Sequence, residues 1–77
     1  MELVSLKSLV ESKRLPPIEM RVALRKDAGL TLDDVADVLE VTKSAVSRWE
    51  TGARQPLGRN RLVYAAFLRK LSEDVWN

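Results

Sequence analysis

Residues 30–56 contain two short apolar stripes at helical spacing, on two segments separated by only three residues, 40–42. The first stripe has four members, spaced as on one face of an α-helix: Leu32, Val35, Ala36 and Leu39. Val46 and Trp49 form the second stripe, and Val41 closes the turn before it. Because alanine is small, the two helices can cross closely where Ala36 faces Val46. The pattern therefore predicts helices over 32–39 and 43–51, packed together through a tight turn.

Local signals mark the ends of these two helices. Thr31 and Asp34 have the spacing of a capping box, in which each side chain accepts a hydrogen bond from the backbone N–H of the other residue. Thr42 is a natural N-cap for the second helix. Gly52 suits the left-handed position that ends it. These caps predict that both helices are short and have defined ends.

Three more helices are predicted outside this pair. Residues 3–13 place four apolar residues on one side of a helix: Leu3, Leu6, Leu9 and Val10. Pro16 and Pro17 end that helix, because proline lacks a backbone donor and clashes with the preceding turn. Pro17 can then open the next helix, which we expect to end near Ala28, before Gly29.

The last predicted helix covers residues 59–74, after a loop over 53–58, and it carries two apolar stripes. We expect one stripe to face the core: Leu62, Val63, Ala66 and Phe67. The other falls on a neighbouring face: Tyr64, Leu68, Leu71 and Val75. Together with Trp76, this second stripe predicts a contact surface, directed either at the N-terminal helix or at a second subunit.

These elements predict an all-α fold, a compact bundle of about five helices in a single domain over residues 1–77. Within it, residues 1–15 form an N-terminal helical extension. Residues 17–57 form the core that holds the tightly joined helix pair, and residues 58–77 form the C-terminal helix. A core of this size is small but can be sufficient without a disulfide or a metal.

The composition excludes several classes of function. The chain has no Cys and no His, so it lacks the commonest general base and the commonest soft metal ligands. A metal site from Asp33, Asp37 and Glu40 is conceivable, but solvated acids near a helix start are far more common. We therefore expect no cofactor and no metal, and an enzyme is the least favoured class. No apolar run of 18 residues and no signal peptide are present, so we expect an intracellular protein without a membrane span.

The net charge of +2 is unevenly distributed along the chain. Residues 31–40 hold four acids and no base. Residues 41–61 hold five bases and one acid. The positive charge therefore concentrates on the second helix of the pair and the loop after it, as neutralisation of phosphates requires. A solvated run of charges is the alternative interpretation.

At this point several residues of the helix pair form a recognisable pattern: Leu30-Thr31, Ala36, Val41-Thr42, Val46-Ser47-Arg48-Trp49-Glu50, Gly52 and Pro56. This pattern resembles the helix-turn-helix of the phage repressor and Cro family, which includes many bacterial regulators and antitoxins. The resemblance is close over residues 30–56 and extends to the general layout of residues 17–71. It implies a bundle of four or five helices that binds duplex DNA in a sequence-specific manner, usually as a dimer on an inverted repeat.

The resemblance assigns roles to individual residues. The exposed side of the second motif helix would read bases: Lys43, Ser44, Ser47 and Arg48. Residues around that helix would bind phosphates: Thr42, Thr51, Arg54, Gln55, Arg59, Asn60 and Arg61. Arg48 is the strongest candidate, because arginine can donate two hydrogen bonds to guanine. Trp49 is expected in the core rather than as a stacking platform for single strands. Arg25 and Glu50 would form a structural ion pair.

Two residues depart from the pattern of this family. Glu40 stands at the turn, where the family usually has glycine, and a positive φ there would cost about 1 kcal/mol. Leu32 stands where the family often has a phosphate-binding glutamine. We therefore expect phosphate anchoring to shift to other residues.

The sequence thus predicts a DNA-binding transcription regulator of the bacterial cytoplasm and nucleoid, such as a phage or mobile-element repressor that occludes an operator. The expected partners are double-stranded DNA with an inverted repeat, and a homodimer or protein partner through Tyr64, Leu68, Leu71, Val75 and Trp76. Two alternatives stay open. One is an antitoxin that represses its own operon, and the other is a helix-turn-helix protein-interaction module without DNA binding.

Overall fold

The computed structural model describes residues 9–76, and every regular element in that range is helical. The described part of helix α1 comprises residues 9–12. The others are α2 (Ile18–Asp27), α3 (Leu32–Leu39), α4 (Lys43–Thr51) and α5 (Gly58–Trp76). The predicted all-α bundle of about five helices is confirmed. Within the described residues, none of these helices is both long enough and apolar enough to span a membrane.

Helix α1 ends before the two prolines, and α2 lies between Pro17 and Gly29. Pro17 precedes α2 with a φ of −54°, and Gly29 follows that helix with a φ of +74°.

The sequence predicted an apolar side on the first helix, and two of its four members, Leu3 and Leu6, lie outside the described residues. Leu9 is 44% exposed and Val10 is 57% exposed, so neither belongs to the core.

The caps of α3 and α4 are as predicted. The Thr31 side chain accepts a hydrogen bond from the Asp34 N–H at 3.0 Å, and the Asp34 carboxylate accepts one from the Thr31 N–H at 2.9 Å. The Thr42 hydroxyl oxygen accepts from the Ala45 N–H at 3.1 Å. Glu40 ends α3 with φ 57° and ψ 46°, the left-handed conformation expected at the turn. The backbone between the two helices is therefore fixed by local hydrogen bonds and one strained residue.

The core lies between α2, α3, α4 and α5. Its fully buried apolar members come from all four helices: Leu24, Val35, Ala36, Leu39, Val46, Trp49, Tyr64, Ala65 and Leu68. Trp49 is only 4% exposed, and its ring centroid lies 4.9 Å from that of Tyr64. The core interpretation of Trp49 is confirmed, because a buried indole presents no face to a nucleic-acid base.

The predicted orientation of α5 is wrong. Tyr64 and Leu68, expected on a partner surface, are 1% and 2% exposed and form part of the core. Leu62 and Ala66, expected in the core, are exposed, whereas Val63 and Phe67 are half-buried against the core. The physical reason is that apolar residues occur around most of this helix, so its spacing alone does not select a face. The packing of Tyr64 on Trp49 selects it.

Only the distal part of the predicted contact surface is accessible. Leu71 is half-buried and packs against the core, and Val75 is half-buried. Trp76 is 42% exposed, and its indole N–H donates to the Asp27 carboxylate at 3.0 Å. Among the described residues, the hydrogen bond of the Trp76 side chain is therefore with Asp27 at the end of α2.

Candidate nucleic-acid interface

The predicted base-reading residues lie along α4, opposite its buried side. Val46 is fully buried and Trp49 nearly so, which fixes the rotation of α4 about its own axis. Lys43, Ser44 and Arg48 are exposed as a consequence, whereas Ser47 is half-buried. The structure thus exposes two cations and one hydroxyl on this side of α4, with Ser47 partly withdrawn.

The end of α4 is held in place by an ion pair. The Arg25 Nε donates to one Glu50 carboxylate oxygen at 2.6 Å, and a second guanidinium nitrogen donates to the other at 2.9 Å. The two side chains are 13% and 9% exposed. The hydrogen bond to Glu50 raises the pKa of Arg25, against the opposing effect of burial. A third bond, to the Leu30 carbonyl at 2.9 Å, ties this pair to the segment before α3.

Arg21 also supports α4, and the sequence interpretation did not identify it. This arginine is 7% exposed. Its guanidinium donates to the Pro16 carbonyl at 2.8 Å and to the Trp49 carbonyl at 3.1 Å. The available signal was its position four residues before Arg25, which places both side chains on one face of α2. Arginine is mostly exposed in proteins, so its residue type predicted the opposite.

A cleft of about 280 Å³ separates α4 from the loop and helix that follow it. Its polar lining comes from four of the predicted DNA-binding residues: Arg48, Arg54, Gln55 and Asn60. All four residues are exposed. The cleft therefore brings one predicted base reader together with three predicted phosphate-binding residues, on the same side of the molecule.

The remaining predicted phosphate-binding residues differ in their surroundings. Arg59 is exposed. The Thr42 side chain caps α4, and the Thr51 hydroxyl donates to the Arg48 carbonyl at 3.3 Å. Arg61 is half-buried, and its Nε donates to the Lys13 carbonyl at 2.8 Å. Arg61 thus ties α5 to the segment before α2, which leaves less of its guanidinium for a phosphate.

The acids of α3 have different interaction partners. The carboxylate of Asp34 is used in the capping box, and its hydrogen bonds from the Thr31 backbone and hydroxyl lower the pKa of Asp34. Asp33 lies near the start of α4, where its carboxylate is 3.9 Å from the Lys43 Nζ. Within residues 9–76, no three acids are grouped closely enough to hold a metal ion.

A comparison with protein families finds a match for this chain. The family described as "Helix-turn-helix domain" matches residues 23–74, which is more than half of the chain. The matched range includes all of α3 and α4, most of α5 and the cleft between α4 and α5. No curated protein and no solved structure gives a significant match.

Proposed function

The chain belongs to the helix-turn-helix domain family, and from this premise we propose that it is a sequence-specific transcription regulator that binds duplex DNA with α4 in the major groove. Membership of this family indicates a DNA-binding regulator, and domains of this family are typically not enzymes. The finer proposal concerns which residues read bases, which bind phosphates, and how binding regulates transcription.

The exposed side of α4 is the observation that carries this proposal. Val46 and Trp49 anchor one side of the helix in the core, and the Arg25–Glu50 pair holds its last turn. A rigid helix with exposed polar residues near its N-terminal end is the device by which this motif contacts base edges. Rigidity favours selectivity, because each side chain must meet a base edge within a few tenths of an ångström.

We assign base reading to Lys43, Ser44, Ser47 and Arg48, with Arg48 donating two hydrogen bonds to guanine. Arg54, Gln55 and Asn60 line the cleft beside Arg48 and would bind the adjacent backbone phosphates. Arg59, Thr42, Thr51 and Arg61 would contribute further phosphate contacts, with Arg61 the weakest because of its bond to Lys13. The phosphate contacts supply most of the affinity, and the α4 side chains supply the selectivity.

We assign regulation to steric occlusion of an operator, as in a phage or mobile-element repressor. Two copies would occupy the two half-sites of an inverted repeat, with half-site centres about 34 Å apart, one turn of the DNA helix. Occupancy of the operator is sufficient for this mechanism, since a bound protein blocks polymerase or a competing regulator.

Binding to the region upstream of its own gene and to random genomic fragments, titrated over salt concentration, tests this function. We expect tight binding to one region, with a steep negative slope of log K against log salt. Footprinting of that region should show a protected inverted repeat. Absence of salt-sensitive binding to either DNA would refute the regulator and favour the protein-interaction module.

Two arginine variants test the division of roles. Arg48→Ala should cost about 1–3 kcal/mol on the operator and relax the preference at one base pair. Arg54→Ala should weaken binding to all sequences similarly and reduce the salt slope by about one. Lys26→Ala, which removes an exposed cation at the end of α2, is the control. It should change neither the base-pair preference nor the salt slope. Equal losses on operator and random DNA for Arg48→Ala would refute its reading role.

A further inference from the structure

One predicted base reader is already paired with an acid. The Lys43 ammonium lies 3.9 Å from the carboxylate of Asp33, and the two side chains are 60% and 70% exposed. The other ion pairs of the described range, Arg25–Glu50 and Lys70–Asp74, involve no predicted base reader. The pair between Lys43 and Asp33 joins the two helices of the motif at the surface that would meet DNA.

The backbones that carry this pair are fixed. Asp33 lies in the first turn of α3, which the Thr31–Asp34 capping box holds. Lys43 is the first residue of α4, directly after its N-cap Thr42. The core packs α3 against α4 below both residues. The Asp33 carboxylate is therefore kept near Lys43 by the fold rather than by the ion pair itself, since an exposed pair of this length contributes little to stability.

A fixed acid at this position affects different DNA sequences unequally. To bind a phosphate, Lys43 must leave Asp33 or bring the phosphate close to a carboxylate, and either costs free energy. To read a base, the ammonium can stay close to the Asp33 carboxylate, 3.9 Å away, and direct its three donors at acceptors on guanine. The cost therefore falls mainly on sequences that offer Lys43 only a phosphate.

Other acids of α3 do not fit this role. The carboxylate of Asp34 is used in the capping box. Asp37 and Glu40 are exposed, and neither forms an ion pair within the described range. In addition, Leu32, the first residue of α3, provides no polar group. Asp33 is thus the polar group of α3 that acts on a base reader.

From these contacts we infer that Asp33 is a specificity-determining positioning residue, which holds Lys43 for base reading and limits the binding of this protein to non-cognate duplex DNA. The inference rests on the proposed function, because it requires that Lys43 faces DNA.

The test is Asp33→Asn, measured on the operator and on random duplex DNA over a salt series. We expect the affinity for random DNA to rise about two- to fivefold, the range that corresponds to loss of an exposed ion pair. The salt slope on random DNA should steepen by about 0.9, because Lys43 then neutralises one more phosphate. Operator affinity should change less, so the ratio of operator to random affinity should fall.

Two matched variants separate this effect from a change in net charge. Asp37→Asn removes an unpaired acid one turn further along α3, and Asp74→Asn removes the acid of the exposed Lys70–Asp74 pair. Both should leave the affinity ratio unchanged. Asp33→Asn made in a Lys43→Gln background should also have no effect on the ratio. Thermal unfolding of each variant checks that the fold is retained.

Several outcomes would overturn the inference. It fails if Asp33→Asn strengthens binding to operator and random DNA equally, or if its effect persists without Lys43. It also fails if wild-type protein binds an operator with a steep salt slope and Asp33→Asn changes nothing. A wild-type protein that binds neither DNA refutes the proposed function itself, and that result is seen before any variant is compared.

Discussion

In α3, the buried apolar residues and the acids lie on opposite faces and only Val38 is an exposed apolar residue, whereas in α5 apolar residues occur on nearly every face. Helix α3 has eight residues, and its buried members Val35, Ala36 and Leu39 form one stripe opposite its acids. Helix α5 has nineteen residues, and its Tyr64 and Leu68 are buried. Leu62 is also a leucine, yet it is 37% exposed. The face of α3 that is buried is thus set by its own sequence, and that of α5 by its neighbours.

This difference shows which contacts position α3 and α4 and which position α5. The N-terminal ends of α3 and α4 are held by capping hydrogen bonds between residues three apart. These bonds form together with the helices, because they need no contact from elsewhere in the chain. Helix α5 is positioned by side chains from distant parts of the chain, including the Tyr64 contact with Trp49 and the Trp76 bond to Asp27. Mutations in α5 therefore report on tertiary packing, and mutations at the caps report on local structure.

The largest expected effect distinguishes two leucines of α5, Leu68 and Leu62. Leu68→Ala should lower the free energy of unfolding by about 2–5 kcal/mol, because it removes a fully buried side chain and leaves a cavity. Leu62→Ala, the same change in the same helix, should cost less than about 1 kcal/mol, since Leu62 is 37% exposed. Urea unfolding of both variants measures the difference. Similar losses for the two would contradict the orientation of α5 described above.

A second effect concerns the ion pair that joins α2 to α4. Glu50→Ala should cost about 3 kcal/mol, because it leaves the nearly buried Arg25 without its charge partner. The exposed Lys70–Asp74 pair is the control, and Asp74→Ala should cost less than about 1 kcal/mol. Thermal unfolding of the two variants tests this. A loss at Glu50 no larger than the loss at Asp74 would show that the pair does not hold α4 in place.

Much of the α3–α4 region could be predicted from the sequence, for physical reasons. The caps at Thr31 and Thr42 and the left-handed Glu40 depend on residues within a few positions of one another. The Arg25–Glu50 contact was expected from the family resemblance, and the structure places the pair there. The rest could not be predicted, because the burial of Arg21 and the face of α5 depend on where α2 and α4 lie in space. The pairing of Asp33 with Lys43 likewise depends on how the starts of α3 and α4 approach each other.

A smaller effect is expected from the hydroxyl at the centre of the core. The Tyr64 hydroxyl is buried and has no hydrogen-bond partner within residues 9–76. Burial raises its pKa to about 12, with a contribution from Glu50 in the same direction and opposing ones from Arg21 and Arg25. Tyr64→Phe should therefore raise the free energy of unfolding by about 1 kcal/mol at pH 7.

The pH dependence of the same variant provides a second measurement. The folded pKa of about 12 lies above the unfolded value of about 10. Below pH 10 the hydroxyl is protonated in both states, so its ionisation does not affect the free energy of unfolding. As the pH rises from 10 through 12, the unfolded state loses this proton first, and the free energy of unfolding falls. Stability of the wild type should fall relative to Tyr64→Phe in that window, by at most about 1.4 kcal/mol per pH unit. Parallel curves for the two proteins, or a less stable phenylalanine variant at pH 7, would indicate that the hydroxyl has a partner.

The smallest expected effect tests the turn between α3 and α4. Glu40 has a φ of 57°, a conformation that costs a residue with a side chain about 1–2 kcal/mol. Glu40→Gly removes this strain but adds about 0.5–1 kcal/mol of unfolded-state entropy, so we expect a net stabilisation of about 0.5 kcal/mol. Urea unfolding, with overlaid denaturation curves, can resolve a change of this size.

Two further substitutions separate strain from charge and from a general effect of glycine. Glu40→Ala removes the acid but keeps a Cβ in the left-handed conformation, so it should not stabilise the protein. Asp37→Gly places glycine inside α3 and should destabilise the protein by about 1 kcal/mol. If Glu40→Ala stabilised the protein as much as Glu40→Gly, the cost at this turn would come from the charge of Glu40 beside the other acids of α3. The turn would then be another place where neighbouring residues, rather than the local backbone, determine the energy.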